Sequence, residues 1–293
     1  LKAKNNRTIT LTDEDKVNLR PRLDDLDSEI RCGDFKQLDL PRGVNLLFLD
    51  PPYNLPKKFG DFQFNRQTIQ DYSTYLDKIF KYLDPYLDEN ASIYICGDWF
   101  SSVSIYEAAS QHWIIRNRIT WEREKGRGAK TNWKNSSEDI WFCTKGKEYK
   151  FDVNAIKLRR KVIAPYKEGG KAKDWDEKTG FRDTHPSNLW TDITIPFWSM
   201  SENTKHNTQK PEKLLAKLIL ASTEENDLVM DPFLGSGTAA VVAKKLNRRF
   251  FGCDISEEYC MLALKRLQMA NDNNDIQGYT DGVFWERNTL KYQ

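Results

Sequence analysis

The chain has 293 residues, 39% of them hydrophobic, enough to bury one large α/β domain with an insertion, or two domains. No apolar run nears the roughly 18 residues a membrane span needs, and no signal peptide is present, so a soluble, cytoplasmic protein without membrane contact is expected. Five cysteines, an odd number with no C-x-x-C spacing, argue for a reducing compartment and against a zinc or disulfide framework. Net charge is +2, yet Arg116 to Arg182 holds 19 Lys+Arg against 10 Asp+Glu, a local +9 that leaves −7 elsewhere. A basic middle on an acidic body suits a polyanion surface, although a solvated, lysine-rich insertion suits the charge equally well.

In chain order, T-D-E-D-K (12–16) starts a helix, with Thr12 as N-cap and acids in the first turn. S-E-I-R-C-G-D-F (28–35) reads as a short strand ending at Gly33-Asp34, and V-N-L-L-F-L (44–49) as a buried strand. Apolar spacing from Ile69 to Leu83 predicts a helix within 68–87, followed by a strand over 91–96 and a helix over 101–112. R-I-T-W (118–121) and D-I-W-F-C (139–143) read as strands joined by a basic loop. Periodicity fades from about 150 to 205 and resumes as a helix (211–222), a strand (227–231), a helix (239–246), a strand (249–254) and a helix (256–267). This alternation predicts an α/β fold, a doubly wound, mostly parallel sheet.

Between the strand 227–231 and its following helix lies D-P-F-L-G-S-G-T-A-A (231–240). Its G-S-G-T-A-A fits a nucleotide-binding loop, and Asp254 stands where an acid binds ribose hydroxyls. Only about 50 residues follow the loop, too few for a dinucleotide domain, so the partner strands must come from upstream. Asp231 would repel a pyrophosphate but attract the ammonium of an amino acid. S-adenosylmethionine has ribose, adenine and such an ammonium, and no phosphate.

Upstream, L-F-L-D-P-P-Y-N (47–54) ends a core strand in an acid, two prolines and an aromatic. Ligands of open α/β sheets sit beyond the carboxyl ends of strands, and Asp34, Asp50, Asp231 and Asp254 each end one. Pro51 and Pro52 stiffen the segment and leave its carbonyls as acceptors. The Asp50 carboxylate beside such a carbonyl suits an exocyclic –NH₂, with its two donors. Tyr53 offers a face for stacking a base, worth about 1–3 kcal/mol. Hydrogen bonds from both N–H groups favour a pyramidal amino nitrogen whose lone pair is free to attack a sulfonium methyl. Asp50 then stabilises the developing charge and takes the proton. No Pro-Cys pair supplies the nucleophile that carbon methylation of cytosine requires.

D-P-P-Y-N (50–54), H-N-T-Q-K-P (206–211) and D-P-F-L-G-S-G-T (231–238), in that order, resemble the β-class amino-methylating DNA methyltransferases of restriction–modification systems. The resemblance covers about residues 28–268, with Asn207 where Pro is common. It implies a circularly permuted, seven-stranded Rossmann-like sheet. The expected division is an N-terminal extension (1–27), a catalytic half (28–149), a target-recognition insertion (150–205), a cofactor half (206–270) and a C-terminal tail (271–293). Asp50, Pro51, Pro52 and Tyr53 are then catalytic. S-adenosylmethionine falls to Asp34, Phe35, Asp50, Lys210, Asp231, Phe233, Gly235, Ser236, Gly237, Thr238, Asp254 and Ile255, with Lys210 on its carboxylate. Double-stranded DNA is the expected substrate, with phosphate contacts from Arg127, Lys130 and Lys134 and base readers among Arg159, Arg160, Lys161, Lys171 and Arg182. Relatives of this kind often dimerise and often work beside a cognate restriction endonuclease. No metal is implied.

His112 and His185 read as surface or packing groups, His206 as a turn former, and Trp99, Trp121 and Trp141 as core or pocket walls. Adenine N6 is the target that Asp50 favours, since cytosine-N4 relatives usually carry Ser there. Structured RNA, a catalytically inert DNA-binding partner and a nicotinamide-dependent oxidoreductase stay open, the last leaving D-P-P-Y unexplained.

Overall fold

A computed structural model describes residues 6–25, 28–59, 62–123, 130–163, 166–173 and 175–289. The main sheet has eight strands: β1 (Ile30–Cys32), β2 (Val44–Leu49), β3 (Leu87–Gly97), β4 (Ile114–Glu122), β5 (Ser137–Thr144), β6 (Leu189–Trp190), β7 (Leu228–Asp231) and β8 (Arg249–Asp254). They lie in the order β1-β8-β7-β2-β3-β5-β4-β6, all parallel except β5, which runs against both neighbours. Seven strands match the expected permuted sheet. The eighth, β6, is a two-residue edge supplied by the stretch where periodicity fades, and it pairs Leu189 with Thr120.

The continuous apolar run of β2 is explained by burial on both faces. Leu47 and Leu49 join the cluster under α2 (Ile69–Leu83) and α3 (Ser102–Ala109), while Leu46 and Phe48 join the one under α4 (Glu212–Ser222) and α5 (Thr238–Lys245). Thr68 caps α2 by accepting the Asp71 N–H at 3.1 Å. α6 (Glu257–Asp272) begins at Ser256, which accepts from Tyr259 N–H at 3.4 Å.

The N-terminal stretch, given no role from sequence, covers α6. Its helix α1 (Asp13–Leu19) has the expected Thr12 cap, and Leu19 and Leu23 pack on Met261 and Leu264. Asp15 accepts from Lys265 Nζ at 2.6 Å, and that bond holds its carboxyl down at about 2.

A second sheet joins Phe181–Thr184, Leu158–Lys161, Val283–Trp285 and Tyr279–Thr280, so the chain's last described strands pair with its basic middle. This layer is pinned to α4 by a buried triad. Asp192 accepts from Lys217 Nζ at 2.8 Å and from Lys213 Nζ at 2.7 Å, and Lys213 also donates to the Trp285 carbonyl. Burial raises the Asp192 carboxyl, but the two ammonium groups outweigh it and hold it below the aspartate range; burial pushes Lys213 down to about 8. Among the described residues no helix is long and apolar enough to cross a membrane.

Candidate active site

β2 and β7 are neighbours at the centre of the sheet, with Leu46 opposite Val229. Later units run outward from β2 through β3 on one side and from β7 through β8 on the other, so a crevice opens at their carboxyl ends. The two motifs meet there. A cavity of about 290 Å³ is lined by Asp34, Phe35, Asp50, Pro52, Lys210, Asp231, Phe233, Gly235, Ser236, Thr238, Asp254 and Ile255. All four strand-end acids thus share one rim.

Pro51, Tyr53 and Gly237, also expected at the site, do not line the cavity. Pro51 is buried, and among the described residues nothing donates to its carbonyl, whereas the Pro52 carbonyl accepts from Tyr72 Oη at 2.8 Å. Gly237, between the lining residues Ser236 and Thr238, turns its Cβ direction toward α6. With φ at +80°, it sets the first turn of α5 so close to α6 that an added Cβ would lie 2.5 Å from Ala263 Cβ. Gly237→Ala is therefore expected to cost about 2–3 kcal/mol from crowding and left-handed strain, read as a lower urea midpoint with unchanged m.

The cavity's charges are unusual. Asp231 is 3% exposed and accepts the Phe233 N–H at 3.0 Å; burial drives its carboxyl well above the aspartate range. Asp254 accepts from Gly235 N–H and Ser256 N–H, both at 2.9 Å, and burial raises it as well. Apolar walls come from Phe35 and Phe233, edge to face at 5.6 Å. A buried acid short of a cation, an acid at the end of the next strand and an aromatic slot fit the ammonium, ribose and adenine of S-adenosylmethionine.

Lys210, expected at the carboxylate of the cofactor, donates from its Nζ to Asp50 Oδ2 at 2.6 Å and to Tyr53 Oη at 3.2 Å. Burial disfavours this ammonium, but Asp50 and Glu138 outweigh it and hold it above the ordinary lysine value. Glu138 on β5, not singled out from sequence, accepts from Tyr53 Oη at 3.2 Å and from Arg123. No local pattern marks it; only the β4–β5 pairing brings it to the rim.

Arg266 was missed for a similar reason, standing on α6, one strand–helix unit after that of the glycine loop. It donates to the Ser236 carbonyl at 2.9 Å, to Thr238 Oγ1 at 3.0 Å and to Glu212 at 2.8 Å, holding the loop from beneath. His206 does more than turn the chain: it lines the cavity, packs edge-on against Tyr259 at 4.5 Å, and would lie 3.1 Å from a Cβ on Gly235.

Of the residues expected to meet DNA, Arg127 lies outside the described residues, while Lys130, Lys134 and Lys171 are exposed. Arg159 spends both fork nitrogens on Asp183, at 2.7 and 2.8 Å, and Arg160 bonds Glu286 at 2.7 Å. Arg182 stands opposite Arg160, half-buried, and Lys161 ends the same strand. Trp121 is core and Trp141 partly so, but Trp99 is 64% exposed beyond the end of β3, contrary to its reading as a wall.

Fold and site together define a permuted, Rossmann-like, S-adenosylmethionine-dependent methyltransferase. The chain belongs to the DNA methylase family, whose model matches residues 44–265. It is 33% identical to the type II methyltransferase M1.MboII of Moraxella bovis over 79% of this chain and 92% of that one. It is 31% identical to the DNA adenine methyltransferase YhdJ of Escherichia coli (78% and 77% covered). Among solved structures, the cytosine-N4-specific PvuII DNA methyltransferase matches with a TM-score of 0.59 at 17% identity, covering 83% of this chain and 89% of that one. The S-adenosylmethionine complex of M1.HpyAVI matches with 0.52 at 23% identity (77% and 89% covered). At those identities the likeness is one of fold.

Proposed function

We propose that the chain methylates the N6 amino group of adenine at specific sites in double-stranded DNA. The observation that carries this reading is Asp50, a carboxylate at the rim of the cavity in the same crevice as Asp231. Asp231 holds the ammonium of S-adenosylmethionine, Asp254 its ribose, and Asp34, Phe35, Phe233 and Ile255 enclose its adenine. Bound there, S-adenosylmethionine supplies an electrophilic methyl group. Lys210 exchanges its bond to Asp50 for the carboxylate of the cofactor, which frees Asp50 to face the base.

The target adenine leaves the duplex, at a cost of a few kcal/mol, offset by stacking on Tyr53 and by hydrogen bonds to Asp50 and the Pro51 carbonyl. Two acceptors on one –NH₂ orient its lone pair, and fixed positioning of reacting atoms supplies up to about 7–11 kcal/mol. Asp50 stabilises the positive charge that grows on nitrogen. Lys130 and Lys134 meet phosphate, while Lys161, Lys171 and Arg182 read base edges; the ion pairs of Arg159 and Arg160 hold that sheet in shape. A cytoplasmic enzyme, in a second copy or beside a cognate endonuclease, accords with the restriction–modification relatives.

Digesting DNA from a methylation-deficient host expressing the chain, with mass spectrometry of the nucleosides, is expected to yield N6-methyladenine. N4-methylcytosine alone, or no methylated nucleoside, refutes the reading.

A further inference from the structure

We propose that Glu138 receives the proton released by methyl transfer, passed from Asp50 through the hydroxyl of Tyr53; this rests on the role of Asp50 given above. Tyr53 Oη lies 3.0 Å from Asp50 Oδ1 and 3.2 Å from Glu138 Oε2. A phenol has one hydrogen and donates to one carboxylate at a time. With both acids ionised, one of these contacts has no proton in it. A single added proton completes the set: Asp50 donates to Tyr53, and Tyr53 donates to Glu138. These two contacts are one proton short even with Lys210 Nζ donating to Tyr53 Oη at 3.2 Å, and the reaction releases one.

The nitrogen–carbon bond forms as the donor's carbon–sulfur bond breaks, with sulfur keeping the electron pair. The methylated nitrogen then sheds one N–H proton to Asp50. Asp50 passes a proton to Tyr53 Oη while Tyr53 gives its own to Glu138, and Asp50 returns to its carboxylate form. Burial, with Asp50 and Glu138 on either side, holds the phenol well above its ordinary value, so Tyr53 hands protons on without becoming a phenolate.

Glu138 is 6% exposed and never reaches the base, so it is a positioning residue and proton seat. It faces Tyr53 from the catalytic loop, Lys210 Nζ at 3.5 Å and Arg123 from the end of β4. The side chain of Arg123, 34% exposed, brings this edge of the cluster to the surface, where solvent takes the proton from Glu138 while the guanidinium stays charged. Asp50 faces Tyr53 and Lys210, with Cys96 and Asp231 the next ionisable groups around it.

The test is single-turnover methylation of plasmid DNA from a methylation-deficient host by the full chain, followed against pH. Glu138→Gln is expected to slow transfer about 10–100-fold at neutral pH. The rate should recover as pH rises or as imidazole is added, because a diffusible base then takes the proton. Tyr53→Phe, which keeps the ring, should show the same profile, and Glu138→Asp should restore part of the wild-type one. Calorimetric binding of S-adenosylhomocysteine should stay within a few-fold in all three. A Glu138→Gln enzyme with wild-type rate and profile, or one slowed equally at every pH, overturns the relay while leaving the function intact. Wild-type protein that methylates no DNA overturns both.

Discussion

Asp50→Asn is expected to slow single-turnover methyl transfer by about 10³–10⁴-fold while leaving cofactor affinity within a few-fold. The amide keeps the shape of the side chain but loses its charge, so it stabilises neither the cationic nitrogen nor the departing proton. Asparagine also turns an –NH₂ toward a site that should only accept. Its side effect falls on Lys210, whose 2.6 Å partner loses its charge inside the protein. Removing one member of a buried pair often costs about 3–5 kcal/mol. Here Glu138, at 3.5 Å, still faces the ammonium, so the variant should fold with only part of that loss. Rates with isotope-labelled donor, beside calorimetry and thermal melts, separate chemistry from stability. A variant within tenfold of the wild-type rate would falsify the role of Asp50.

The parts of this site that can be read from sequence are those whose signal is local. A buried strand ending in Asp-Pro-Pro and a glycine turn before a helix each announce their geometry within ten residues, and both sit where they were expected. The count of strands after the glycine loop also placed the missing ones upstream, because a parallel sheet leaves few ways to connect them. Glu138 reaches Tyr53 across 85 residues, and nothing in S-E-D-I-W-F-C says which acid turns inward. The second sheet was illegible for the same reason. L-R-R-K alternates no apolar face, and its partner V-F-W lies more than a hundred residues on. One glycine pattern serves two needs that its letters do not separate: Gly235 lines the ligand cavity, whereas Gly237 lets two helices touch. Trp99 misled in the opposite sense, since its apolar character hid a position on the open rim.

Asp231→Asn should weaken S-adenosylmethionine binding by about 10²–10³-fold and, at the same time, stabilise the free protein at neutral pH. Both effects have one cause. Burial raises the folded-state value of Asp231 well above the ordinary 3.8, so the folded chain favours the protonated acid. Stability from that preference is fully present below about 3.8, and it is lost as pH rises through the raised folded value. Asparagine, always neutral, abolishes the loss, and the variant should melt higher than wild type, with a flatter dependence on pH. An ammonium ligand needs the ionised acid, so binding must expel the proton. Wild-type affinity should therefore fall as pH is lowered beneath the free-state value, approaching tenfold per unit, while the variant's weak affinity stays level. Calorimetry of S-adenosylmethionine in two buffers of different ionisation enthalpy measures the released proton directly. Equal heats in both buffers, or a variant that binds as tightly as wild type, would mean that the ammonium lies elsewhere and that the buried acid serves the fold alone.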